Sequence, residues 1–192
     1  TNDLSITVPM DAARTLLASF EIDTHDLTIA SAQGSTPVPD TYTYDYGTIL
    51  SNAVTTPQVD AGTQYVSLGW TMTEDPTSGA GDAFGMTLTN DTTLTWNWTT
   101  NYDLSISTYS NGSVDVSSGW KPLGTNIVIT ATPELHYHFA GWSGDVTGIT
   151  GTTNDLSITV PMDAARTLLA SFEIDTHDLT IASAQGSTPV PD

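Results

Sequence analysis

The same forty residues occur twice in this chain. Thr1–Asp40 and Thr153–Asp192 both read TNDLSITVPMDAARTLLASFEIDTHDLTIASAQGSTPVPD, offset by 152 residues. Independent drift does not leave forty positions identical, so these are copies of one unit, and the period has to be read before the fold. The chain reads as a window of about one and a quarter periods of a longer tandem array. Identical sequence carries the expectation that both ends fold alike. The cuts carry another: residues 1–24 close an upstream domain and residues 177–192 open a downstream one.

A fainter repeat lies inside the period. His25-Asp26-Leu27-Thr28-Ile29 is echoed by Tyr102-Asp103-Leu104-Ser105-Ile106, and Leu68-Gly69-Trp70 by Ala140-Gly141-Trp142. Asp26 to Asp103 spans 77 residues and Asp103 to Asp178 spans 75, which together make the period. Two diverged domains therefore alternate, A over residues 25–100 and B over residues 101–176. Each is small and has no disulfide, so each should lean on its neighbours. Neither junction carries a Gly/Pro-rich linker, which predicts a stiff rod.

Alternation of apolar and polar residues makes both domains all-β. In B the expected strands are Tyr102–Thr108, Ser113–Ser117, Asn126–Thr132, Tyr137–Trp142, Asp155–Val160 and Thr167–Glu173. Turn signals separate them, Asn111-Gly112 the strongest. The run Asp163–Ala170 holds helix formers but follows Pro161 and continues in period 2, so it reads as a tight turn and then a strand.

The ordered string Asn111-Gly112-Ser113-Val114, Leu123-Gly124-Thr125, Thr130-Ala131-Thr132-Pro133, Tyr137-His138-Phe139-Ala140-Gly141-Trp142-Ser143-Gly144-Asp145, Met162-Asp163 and Ala170-Ser171-Phe172 resembles the divergent internalin B-repeat family of bacterial surface and secreted proteins. The resemblance covers all of B and, for its closing part, Ser5–Phe20. A keeps the skeleton but has Leu68-Gly69-Trp70 without Ser-Gly-Asp, and Trp96-Asn97-Trp98 where the family ends in Ala-x-Phe. What the resemblance implies is tandem small β-grasp-like or sandwich domains of about 75 residues in an extended array, spacer or adhesive in role and without catalytic residues.

Charge and composition narrow the partners. Three basic residues face 22 acidic ones, for a net charge of −19. Such a surface repels phosphates and anionic lipid, so nucleic acid is not an expected partner. No apolar run is long enough to span a membrane. Cysteine is absent, which removes disulfides, thiol catalysis and Cys-ligated zinc. The excess carboxylate reads as solubility, or as Ca²⁺ binding at the junctions, where Asp23, Asp26, Asp103, Asp175 and Asp178 recur; no D-x-[DN]-x-D-G loop accompanies them. No other cofactor is implied. His136 and His138 fall on one face of an expected strand, two ligands without a third.

No catalytic motif assembles. Lys121 is the only lysine; beside Trp120 and Pro122 it reads as part of a turn. Asn90, Asn97 and Asn111 head glycosylation sequons. Gly141-Trp142-Ser143-Gly144-Asp145 reads as a core Trp followed by a turn, or as a sugar-stacking face. Trp96 and Trp98, and likewise Tyr42, Tyr44 and Tyr46, alternate onto one face. Stripes of this kind are usually core; exposed, these five would form a self-association or glycan surface. Copied surfaces favour a structural role: an extracellular bacterial fibre, stalk or filament whose partners are further copies of itself. The alternative is an adhesin or glycan-binding array on a cell-surface or secreted protein.

Overall fold

The computed structural model describes residues 5–34, 38–74 and 76–182; residues 1–4 and 183–192 of the two end segments lie outside the described residues. All the regular elements described are strands, with no helix among them. The first eight are β1 (Thr24–Ser31), β2 (Thr41–Asp45), β3 (Ile49–Ala53), β4 (Gln58–Asp60), β5 (Thr63–Met72), β6 (Ser78–Gly79), β7 (Ala83–Thr87) and β8 (Thr92–Thr108). The rest are β9 (Gly112–Val114), β10 (Gly119–Pro122), β11 (Asn126–Pro133), β12 (Tyr137–Gly144), β13 (Ser157–Pro161) and β14 (Arg166–Ile174).

β8 organises the rest. Over its 17 residues one edge pairs antiparallel with β5 and then parallel with β14, and the other pairs parallel with β1 and then antiparallel with β10. Its first half, TTLTWNW, turns Leu94 and Trp96 into one core with Leu27, Ile29, Trp70 and Phe84. Its second half turns Leu104 into another, with Ile129, Trp142, Ile158, Leu168 and Phe172. One period-2 run thus feeds both cores, because side chains on the same strand face recur at every second position.

The two cores are wired alike. Each first strand lies parallel to the last: β1 on β8, then β8 on β14. Each last strand is flanked antiparallel by a bulged strand, with the shift at Ser67/Gly69 in β5 and at Phe139/Gly141 in β12. The Trp after each bulge is buried and donates its indole N–H to a backbone carbonyl, Trp70 to Ala83 (3.3 Å) and Trp142 to Asp155 (2.9 Å). The Gly-Thr turns also match. Gly47 N–H donates to the Leu88 carbonyl at 2.7 Å, and Leu88 N–H to that of Thr48 at 2.9 Å. Gly124 and Met162 make the corresponding bonds to Met162 and Thr125, both 2.9 Å.

The expected strands of B are present, and the Asp163 stretch is a turn leading into β14. One strand lacks any counterpart in the sequence reading. Gly119-Trp120-Lys121-Pro122 is β10, on the edge of β8, so Lys121 sits in a strand rather than a turn. Edge position makes Pro122 tolerable there, since its missing N–H leaves no ladder gap in the sheet interior.

The two copies of the repeated segment do not fold alike, contrary to expectation. Ser157–Pro161 and Arg166–Ile174 are strands, whereas their equivalents within Ser5–Ile22 form no strand. Conversely, Thr24–Ser31 is β1, while Thr176–Ala182 has no regular structure. The difference is one of neighbours. β13 exists by pairing with β11, and β14 by pairing with β8 and β12; among the described residues no strand pairs with Ser5–Ile22. A strand by itself satisfies none of its backbone groups and buries no face, so it forms only on a sheet.

The glycine after Trp142 tests how tightly β14 is held. Gly144 has φ +96°, and a Cβ there would collide with the Thr167 carbonyl oxygen; Gly148, at φ +78°, has open space around it. Gly148→Ala should cost about 1 kcal/mol of backbone strain, and Gly144→Ala roughly 2 kcal/mol more, because a strand must move. Urea unfolding monitored by near-ultraviolet circular dichroism reads the difference; equal losses would refute the close approach.

Candidate functional site

The five aromatic residues singled out from the sequence divide on inspection. Trp96 is in the A core at 2% exposure, which is the core reading of the stripe and removes it from the alternative of a self-association or glycan surface: its alternation with Leu94 points both inward. Trp98 is half-buried and donates its indole N–H to Ser31 Oγ at 3.0 Å. Tyr42 and Tyr44 lie on β2 with half-buried rings packed against the A core, their centroids 6.5 Å apart. The Tyr42 hydroxyl donates to the Val38 carbonyl at 3.1 Å. Tyr46 is exposed in the turn after β2, its ring 5.9 Å from that of His25. Trp142 is buried and hydrogen-bonded, so the Gly-Trp-Ser-Gly-Asp motif is a core anchor and a turn.

The acidic residues near the junctions are dispersed. Asp26 accepts the Thr43 hydroxyl at 2.6 Å, Asp103 donates its N–H to the Gly62 carbonyl at 2.9 Å, and Asp175 meets His138 Nδ1 at 3.0 Å. Asp23 accepts the Tyr46 N–H through its carbonyl at 2.7 Å, and Asp178 is exposed. No three His, Cys, Asp or Glu side chains gather as a metal site among the described residues. His136 is not on a strand face with His138. It occupies the turn before β12 at φ +70°, and its carbonyl accepts the Asp175 N–H at 2.8 Å.

The structure draws attention instead to two shallow polar clefts beside the last strand of each core. In B a cleft of about 350 Å³ is lined by Asp145, Thr147, Asp163, Ala164, Ala165 and Arg166. In A one of about 250 Å³ is lined by Asp26, Thr28, Thr73 and Asp91–Thr93. Arg166 is buried and is spent on holding the loops around it. Its Nη1 donates to the carbonyls of Asp145 (3.3 Å) and Thr147 (2.7 Å), and its Nη2 to Asp163 Oδ1 (2.6 Å). Asp145 Oδ2 in turn accepts the Thr167 N–H at 2.8 Å. The Arg166 hydrogen bond holds the Asp163 carboxyl below the ordinary aspartate range, against the opposing effect of desolvation. In A, Asp91 is likewise lowered, first by the Asp26 backbone N–H at 3.0 Å and then by His25 at 3.2 Å. These carboxylates fasten strand ends.

Sequence comparison agrees with this wiring. Residues 102–176 match the divergent InlB B-repeat domain. The matched B-repeat begins in the middle of β8 and runs just past β14, so it contains the whole of the second core. Repeats of this family are associated with bacterial surface proteins and are typically structural rather than enzymatic. No curated protein and no solved structure matches the chain. No described helix is long and apolar enough to cross a membrane. Arg166 was missed as an anchor by sequence reasoning; the one signal for it is its rarity in so acidic a chain.

The Asp163–Arg166 pair fixes a sign for pH dependence. A carboxyl whose folded pKa lies below its unfolded value stabilises the fold fully above the ordinary aspartate pKa, and that contribution is lost as pH falls through the lowered value. Asp163→Asn should therefore lower the melting temperature of the B-repeat core at neutral pH and leave it less sensitive to acid between about pH 5 and pH 2. Thermal melts across that range check it; parallel curves for the two proteins would show that the pair contributes nothing.

Proposed function

We propose that this chain is a segment of an extracellular bacterial fibre, stalk or filament, built from A and B domains divided at residues 1–24, 25–100, 101–176 and 177–192. The observation that carries this reading is the shared strand. β8 leaves one core and enters the next without a break, so bending between the cores would have to break backbone hydrogen bonds on both of its edges.

A second contact supports it. The turn between β4 and β5 reaches along β8 until Gly62 meets Ala165 of the B-repeat, where an added Cβ would lie 2.7 Å from that of Ala165. The Gly62 carbonyl also accepts the Asp103 N–H, at 2.9 Å. Repeated identical surfaces joined head to tail give contacts that do not close, the geometry of filaments. The net charge of −19 keeps such an assembly soluble and off anionic surfaces.

Electron microscopy of a protein carrying several 152-residue periods tests the reading. Unbranched rods or filaments lengthening in proportion to period number are expected. Compact particles, or single rods that bind a glycan array without associating, would replace it with the adhesin reading.

The brace has its own test. Gly62→Val puts a branched side chain at φ +81° and against Ala165. Small-angle scattering should report a broader distance distribution, with the Trp-dependent circular dichroism of both cores retained. An unchanged distribution would remove Gly62 from the account of stiffness.

A further inference from the structure

β2 and β10 hold equivalent places, each antiparallel to the first strand of its core, and they differ in how one cross-strand carboxylate is satisfied. In A, Thr43 pairs with Asp26 and donates its hydroxyl to Asp26 Oδ1 at 2.6 Å. In B the corresponding pair is Trp120 with Asp103. The Asp103 backbone N–H goes to the Gly62 carbonyl at 2.9 Å, while its carboxylate has no hydrogen-bond partner among the described residues. A hydroxyl that satisfies the acid in one core is thus replaced by an indole that does not.

Leu104 lies in the B core and Tyr102 packs against it, so Asp103 between them faces outward, and cross-strand pairing puts Trp120 on the same outer face. Trp120 is 37% exposed there. Both flanking cores are present at this point of the chain, so the exposed indole belongs to the surface that the two cores leave between them. Two positions along that face, Asn101 Nδ2 donates to Gln64 Oε1 at 3.0 Å. The bond leaves Asn101 Oδ1 as an acceptor and Gln64 Nε2 as a donor. On the side of Asp103 away from Trp120 the surface is low, because its neighbours there are Gly62 and Ala165, which are in close approach. The outcome is an open trough with an indole on one side and a carboxylate and two amides along its floor.

We propose that Trp120, Asp103, Asn101 and Gln64 form a binding site for a neutral glycan. A pyranose ring offers a C–H face to an indole and, around its edge, hydroxyls that each donate and accept. The Asp103 carboxylate and Asn101 Oδ1 take donated hydroxyls, and Gln64 Nε2 supplies a donor in return. The net charge of −19 turns away uronates, sulfates and phosphates, which leaves uncharged sugars. A cationic side chain would use the carboxylate and the indole but has no acceptor for the Gln64 donor. A second copy has only three basic residues to offer, and Arg166 among them is buried. The site goes beyond the fibre reading: with Thr43 closing the equivalent place in A, it occurs once per period, and weak sites spaced along one molecule gain by acting together.

Calorimetric titration of the full chain with cellohexaose, mannohexaose and chitohexaose tests the site, with hexalysine as the cationic probe. At least one of the neutral oligosaccharides should bind, at one site per chain. Trp120→Ala should weaken that binding by about tenfold or more, and Trp120→Tyr, which keeps an aromatic face, should recover most of it. Near-ultraviolet circular dichroism should show the buried Trp142 environment unchanged in both variants, since Trp120 lies outside the core. Failure of all three sugars to bind, sugar binding indifferent to Trp120→Ala, or hexalysine bound in preference to every sugar would overturn the proposal. Filament growth is read separately by microscopy of several periods, so the glycan site and the fibre reading can each fail alone.

Discussion

Backbone hydrogen-bonding groups have to be paired wherever they are buried, and in this chain β8 supplies edges for four other strands, β1, β5, β10 and β14. Because those partners belong to two different cores, the pairing of each core fixes the other's orientation. At the junction both edges are engaged at once, where Tyr102 pairs with Thr63 of β5 on one side and with Lys121 of β10 on the other. The Trp bulges, the Gly-Thr turns and the Arg166 anchor all serve to present side chains to a core that this strand has already positioned. Small β-domains without disulfides bury little surface each; sharing a strand lets two of them share stability as well.

The repeated segment shows how little of that stability is local. One sequence yields two buried strands beside B and an extended exposed run ahead of A. Strand propensity largely measures fit to a pleated, half-buried surface, so Leu168 and Leu16 differ in everything except identity. Only the Asp–Arg bend persists in both copies, because its partners are three residues apart and require no sheet. Long-range pairing is thus decided by which neighbours are present, whereas the turn is decided by sequence.

This division also explains what could be read in advance. The alternation of Leu27 with Ile29 and of Leu104 with Ile106 announced strands, and Asn111 announced a turn, where it indeed adopts φ +81°. The B-repeat was legible because its glycines and Trp142 occur at fixed spacing. β10 was not, since Gly119, Trp120, Lys121 and Pro122 lack alternation and are held by the free edge of β8. The turn at His136 was hidden by a residue that seldom takes positive φ. Spacing gave Trp96 and Trp98 one face and favoured core for it, which Trp96 at 2% exposure bears out, but spacing alone left the exposed-patch alternative open. The Arg166 anchor left no motif because two of its partners are backbone carbonyls, which any residue can provide.

The two junctions of the array cannot be identical. From Trp98, opposite the A bulge, to Asp103 at the head of Leu-x-Ile is five positions; from Phe172, opposite the B bulge, to Asp178 at the head of the same motif is six. Side chains alternate with period 2, so one extra residue turns the following Leu and Ile to the other face unless a bulge absorbs it. In the first copy β1 begins at Thr24, the equivalent of Thr176, which leaves Asp175 alone between the end of β14 and the next strand. A bulge at Asp175, whose N–H is already held by the His136 carbonyl, would restore the face and add local twist. The junction after β14 would then differ in twist from the unbroken run of β8 between the two cores.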